Sequence, residues 1–149
     1  MDKRLEELAT SFAREARIVA ARSGRLAQAM AEEIPAAAIA PTQWRDDVLA
    51  LVRDMALNLG EGVFLRQSRA LQRRPDQQKT LRKSMLPTLI LAGQADTLIP
   101  ARRAEFLAGI MPFANLHIIA DAGHLPTLEQ PDAVTELLGV FLGGPVLLK

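Results

Sequence analysis

"LPTLILAGQADTLIP" (residues 86–100) is the stretch on which the fold turns. From Leu86 to Ala92 it is apolar with almost no polar alternation, the pattern of a strand covered on both faces, as strands of parallel sheets are. Gly93 closes the run, Asp96 follows, and Pro100 stands where a first helical turn begins, with Leu107 and Ile110 on one face. "NLHIIADAGHLPTLEQP" (residues 115–131) repeats the layout. A strand over 115–121 leads to Gly123 and His124, and Pro131 opens a helix through Val134, Leu137, Leu138 and Phe141, closed by Gly143-Gly144-Pro145. Strand–helix–strand–helix makes two parallel strands joined by a right-handed crossover.

Parallel strands end on one edge of a sheet, and ligands bind outside that edge. Asp96 leaves the first strand and His124 the second. Neighbouring strands lie ~4.8 Å apart, so the two side chains can meet although they are far apart in the chain. A carboxylate on one imidazole nitrogen fixes the tautomer and leaves the other nitrogen as a general base. Gly93 and Gly123 are expected to permit tight turns there. From spacing alone a second reading stands beside this one: a turn-capping aspartate and a structural histidine. His117, inside the second strand, reads as structural.

Upstream, residues 1–85 carry helical periodicity. Leu5, Leu8, Phe12, Ala16 and Val19 recur at spacings of three and four, predicting an amphipathic helix that stops at Ser23-Gly24. Leu26 to Met30 forms a short continuation before Pro35. Trp44, Val48, Leu51, Val52 and Met55 mark a helix from near Thr42 to Gly60, and Phe64, Leu65, Ser68 and Leu71 another, closed by Pro75. "QRRPDQQKTLRK" (72–83) reads as a polar, solvated connection.

Composition bounds the function. In 149 residues, 49% hydrophobic and 23% charged content is that of a globular chain. The 18 basic and 17 acidic residues nearly cancel, so no charge field points to nucleic acid. There is no cysteine, hence no disulfide, zinc-thiolate site or cysteine nucleophile. The charged N-terminus is unlike a secretory signal and no apolar run approaches the ~20 residues of a membrane span, so a cytoplasmic location is expected. No clustered ligand spacing or Gly-rich phosphate loop is present, and neither metal nor cofactor is expected.

The two motifs together, Gly-x-x-Asp-x-x-x-Pro (Gly93, Asp96, Pro100) and Gly-His-x-Pro-x-x-Glu-x-Pro (Gly123, His124, Pro126, Glu129, Pro131), closely resemble the C-terminal part of the α/β-hydrolase superfamily. "ARSGRLAQAM" (21–30) and "EGVFLRQSRALQRRPD" (61–76) look like the helical cap of enol-lactonase and carboxylesterase types. The resemblance implies an α/β fold in part, with a helical cap or lid over 1–85 and a β-α-β-α portion of the core over 86–149. It implies Asp96 and His124 as catalytic acid and base of a Ser-Asp-His site for a small ester, lactone or related carbonyl compound. Glu129 is then a charge near the N-terminus of the last helix rather than a catalyst, and Trp44, Phe64 and Leu65 are candidates to line a pocket.

The family's nucleophile sits at a strand-to-helix turn in Gly-x-Ser-x-Gly, with an oxyanion hole from an earlier loop. Neither is present here. Of the 4 serines, Ser11 and Ser68 fall in helical patterns and Ser84 precedes the first strand. Ser23 follows a charged helical segment, with Ala21 where the elbow glycine belongs, and reads as a helix break. The chain is therefore expected to hold the acid and base of a truncated hydrolase, inactive alone, with no convincing nucleophile. The alternative is a non-catalytic interaction protein, or a half-enzyme needing a partner chain. A first strand pairing on one side only leads to the expectation of self-association or of a partner supplying the N-terminal half.

Overall fold

A computed structural model of the chain describes residues 3–143, with side chains from residue 10 onward. The described chain runs α1 (Lys3–Arg22), α2 (Leu26–Glu33), a 3-10 turn (Ala36–Ala38), α3 (Arg45–Leu59), α4 (Glu61–Arg73), α5 (Gln78–Leu81), β1 (Thr88–Gly93), α6 (Ala101–Ile110), β2 (Ala114–Ile119), α7 (Pro126–Glu129) and α8 (Pro131–Gly143). It divides into two compact units. One comprises the chain up to Ala36 with Leu49–Pro75; the other comprises Ala37–Val48 with the chain from Asp76 onward. Residues 37–48, upstream of the expected boundary at 85, thus pack with the sheet.

In the helical unit α1 lies against α2 and α4. Gly24 and Gly60, at φ 79° and 81°, take positive φ between helices, a conformation that side-chain-bearing residues avoid. The core joins Ala20 and Ala21 of α1, Leu26 and Ala29 of α2 and Phe64 of α4, with Leu65 and Met30 packed against it. This is not the expected face of α1. Phe12, Ala16 and Val19 are exposed, while Ile18, Ala20 and Ala21 are buried; Leu5 and Leu8 lie outside the described side chains. α1 carries two apolar stripes, and α2 and α4 cover the one that holds Ala20 and Ala21. Phe64 is buried in this core and Leu65 packs against it, while Trp44, just ahead of α3, is exposed.

The sheet unit is built on β1 and β2, paired in parallel from Thr88↔Ala114 to Gly93↔Ile119. α6 lies against both strands. Val134 and Leu137 of α8 pack with Ile119, Ala122 and Leu91. The expectation of a first strand covered on both faces is not met: of β1 only Gly93 is buried. Among the described residues β1 has a single neighbour, so its second edge is unpaired. Two short helices, α5 and α7, form where the sequence pattern predicts connections. Asp76 starts α5 by accepting from the Gln78 amide, and Pro126 supplies a preset φ at the start of α7. The last helix is described as far as Gly143; Gly144 and Pro145, the expected stop, lie outside the described residues. No helix among the described residues is long and apolar enough to cross a membrane.

One ion pair ties α1 to α4. Arg69 donates through both terminal nitrogens to Glu15, at 2.7 and 2.9 Å, and Gln72 adds a third bond at 3.1 Å. These hydrogen bonds, first Arg69 and then Gln72, hold the Glu15 carboxyl below its ordinary range. A depressed carboxyl stabilises the fold at neutral pH and loses that contribution as pH falls through the ordinary range to the lowered value. Glu15→Gln is therefore expected to lower the melting temperature at pH 7, with the difference from wild type shrinking in acid and in high salt. Circular dichroism melts across pH check this; a pH-independent difference would contradict it.

Candidate functional site

Asp96 and His124 leave the C-terminal ends of adjacent parallel strands, and the pairing continues beyond the strands into their loops. Gln94 N–H donates to Ile119 O at 2.9 Å and Ala95 N–H to Ala122 O at 2.8 Å. Asp96 then closes a turn on itself: Oδ1 accepts from the amides of Leu98 and Ile99 at 2.8 and 2.9 Å. With one carboxylate oxygen so held, Oδ2 faces His124 Nδ1 at 3.0 Å. The Asp96 side chain is only 9% exposed and that of His124 24%, so the acid is sheltered while the imidazole still reaches solvent. An imidazole held through Nδ1 presents Nε2 as the nitrogen able to exchange a proton with a reacting group.

The backbone around His124 is as tightly engaged. His124 N–H donates to Ala38 O at 2.7 Å. Glu129 Oε2 accepts from Gly123 N and from Ala40 N, each at 2.7 Å, and Oε1 accepts from Leu125 N at 2.9 Å. Glu129, two residues ahead of α8, is buried at 5% exposure, and its hydrogen bonds go to loop amides rather than to the first turn of that helix. Its carboxylate turns back to the loop it follows. Residues 37–40 are held from other sides too: Thr97 Oγ1 donates to Ala37 O, and the Arg45 guanidinium donates to the carbonyls of Ile39 and Ala40. Sequence reasoning missed this segment and Arg45. The one available signal was a carboxylate four residues past Leu125, close to the reach-back half of a capping box.

Gly93 and Gly123 also differ from expectation. Neither has positive φ; what glycine supplies is space. A Cβ on Gly93 would lie 1.9 Å from Gly123 O, and one on Gly123 would lie 2.1 Å from Ala38 O. Asp121, by contrast, takes φ 53° in the loop after β2, a left-handed conformation that aspartate tolerates.

Each serine has its own local setting. Ser23 ends α1 in the helical unit, where Oγ donates to the carbonyls of Val19 or Ala20 and accepts from Arg25. Ser11 lies in α1 and Ser68 is buried in α4. Ser84 precedes β1, whose 6 residues separate it from Asp96 by about 20 Å at 3.3 Å per residue. His117 sits exposed within β2. Among the described residues no group of three or more histidine, cysteine, aspartate or glutamate side chains could hold a metal ion.

Comparison with known proteins bears on the family and the fold. The profile of the alpha/beta hydrolase family matches residues 4–137. A pimeloyl-[acyl-carrier protein] methyl ester esterase of Xanthomonas axonopodis pv. citri is 37% identical over 78 residues, 52% of this chain and 31% of the esterase. A thermophilic esterase from Thermogutta terrifontis superposes with TM-score 0.73 and 32% identity, covering 88% of this chain and 50% of that one. The enol-lactonase from Burkholderia xenovorans LB400 superposes with TM-score 0.74 and 22% identity, covering 87% and 49%, and speaks for the fold alone. The chain thus spans about a third of the curated relative and half of each solved structure.

The glycine contacts predict opposite outcomes at two positions. Gly123→Ala is expected to destabilise by about 1–3 kcal/mol or more, since the obstructing atoms are backbone. Gly109→Ala, in α6 with nothing within 4 Å of the added Cβ, is expected to stabilise by roughly 0.5–1 kcal/mol. Urea unfolding measures both, and a neutral Gly123→Ala would contradict the close approach.

Proposed function

Because the chain belongs to the alpha/beta hydrolase family, we propose that Asp96 and His124 are the acid and base of a Ser-Asp-His site for carboxylic ester or lactone hydrolysis. The serine and oxyanion donors come from polypeptide outside these 149 residues. The observation that carries this reading is the contact between His124 Nδ1 and Asp96 Oδ2 at 3.0 Å, at the sheet edge where such sites are built. The esterase names of the two relatives above 30% identity support the substrate class. The helical unit is proposed as the cap.

In the completed site His124 Nε2 takes the serine proton as Oγ attacks the carbonyl carbon. The resulting imidazolium is stabilised by Asp96, then returns the proton to the departing alkoxide, which leaves as alcohol. Water, deprotonated by the same nitrogen, next attacks the acyl-serine, and the proton passes back to serine Oγ as the acid is released. Asp96 holds the imidazole in place throughout, with Oδ1 fixed by two amides and Oδ2 against the ring.

The isolated chain is expected to hydrolyse p-nitrophenyl acetate no faster than free imidazole and to resist a fluorophosphonate probe. Joined to the N-terminal half of the Thermogutta terrifontis esterase, it is expected to gain activity that His124→Ala abolishes and Asp96→Asn lowers by roughly 10⁴ in kcat. Activity unaffected by His124→Ala would overturn the proposal.

The second reading, a protein that works by binding another chain, has one observation in its favour. Phe106, Phe113, Ile118 and Leu138 of the sheet unit are each 40% exposed or more, beside an edge of β1 that is unpaired among the described residues. Exposed apolar residues beside an open strand edge favour association. Self-association, or dependence on the chain that supplies the serine, is therefore proposed. Light scattering at micromolar concentration should show oligomers; a cooperatively unfolding monomer would count against it.

A further inference from the structure

Glu129 lies outside the acid–base pair, yet its buried carboxylate sits on the amides either side of His124. Three consecutive amides are engaged: Gly123 and Leu125 by Glu129, and His124 by Ala38 O. Oε2 also accepts from Ala40, so a single oxygen bridges the histidine loop to residues 38–40. These bonds cross the same gap that Gly123 keeps narrow, where no Cβ fits. The ring of His124 thus projects from a residue whose neighbours on both sides are held by a common carboxylate.

We infer that Glu129 is the positioning residue for His124: by anchoring the Gly123 and Leu125 amides to residues 38–40, it sets the imidazole against Asp96. The inference rests on the reading of His124 as the base and adds what aims it. The chemistry requires a carboxylate. Two acceptor oxygens point at opposite sides, one at Leu125 and the other at Gly123 and Ala40. A glutamine of the same shape has one acceptor oxygen and one amino group, which would turn hydrogens toward N–H donors on one side. A buried donor is then left unpaired, and the loop yields.

The test needs no catalysis, because the chain has only 2 histidines and His117 is an exposed internal reference. In the ¹⁵N-histidine-labelled 149-residue chain, the His124 Nδ1–H bonded to Asp96 should give a downfield proton signal, slow to exchange with water and absent in Asp96→Asn. Glu129→Gln is expected to lose that signal or to exchange it at least tenfold faster, while backbone amide spectra still show a folded chain. Val134→Ala, which opens the core of the same unit, is expected to lower the melting temperature without moving the signal. Should Glu129→Gln not fold, Glu129→Asp keeps the charge but shortens the reach by one methylene. It should weaken the same signal, because one carboxylate oxygen cannot then serve its side. A folded Glu129→Gln or Glu129→Asp with wild-type exchange, or a loss equal in Val134→Ala, would overturn the inference. Absence of the signal from wild type would instead remove the Asp96–His124 pair itself, and with it the proposed function.

Discussion

Parallel pairing of β1 with β2 is the constraint on which the rest of the site depends. The register ends at Gly93↔Ile119, so both strands hand over to loops at the same edge. Two further backbone bonds, from Gln94 and Ala95, carry the pairing into the loops. Asp96 and His124 are 28 residues apart in the chain and meet only because of that register. A slip by one residue would reverse the faces and move the loop of His124 about 3.3 Å along the strand, breaking a contact that tolerates a few tenths of an ångström.

Much of this arrangement was legible in the sequence. An unbroken apolar run from Leu86 to Ala92, a second strand signal over 115–121, and proline beside the start of each following helix describe a β-α-β-α unit. Its topology then brings Asp96 and His124 to one edge. The helical half was legible as elements, with stops at Gly24 and Gly60, but not in its facing. Periodicity gives the spacing of a stripe; which of two apolar stripes on α1 is covered depends on α2 and α4, and no property of α1 alone records that choice.

The support around the site was the least legible part, for a physical reason. Residues 36–40, "AAAIA", carry no titratable or polar side chain, yet Ala38 supplies a carbonyl and Ala40 an amide to the histidine loop. Backbone groups are the same at every position, so their employment leaves no trace in residue identity beyond smallness. Glu129 was visible as part of a motif, but its position just before α8 pointed only to that helix's end and not to the loop amides it holds. Burial, which only the fold reveals, distinguishes a surface charge near a helix end from an anion serving three amides.

The contact between Gly93 and Gly123 bears on how such a chain can vary over generations. When a side chain obstructs a substitution, a second change that trims the obstruction restores the fit. Here the obstructing atoms are the carbonyl oxygens of Gly123 and Ala38, which every amino acid carries. No partner replacement can therefore compensate for a Cβ at either glycine, and suppressors of such lesions would have to move whole segments of main chain. The histidine loop and residues 38–40 are in this sense frozen together: each can change its side chains where these face outward, but neither can change the path of its backbone alone.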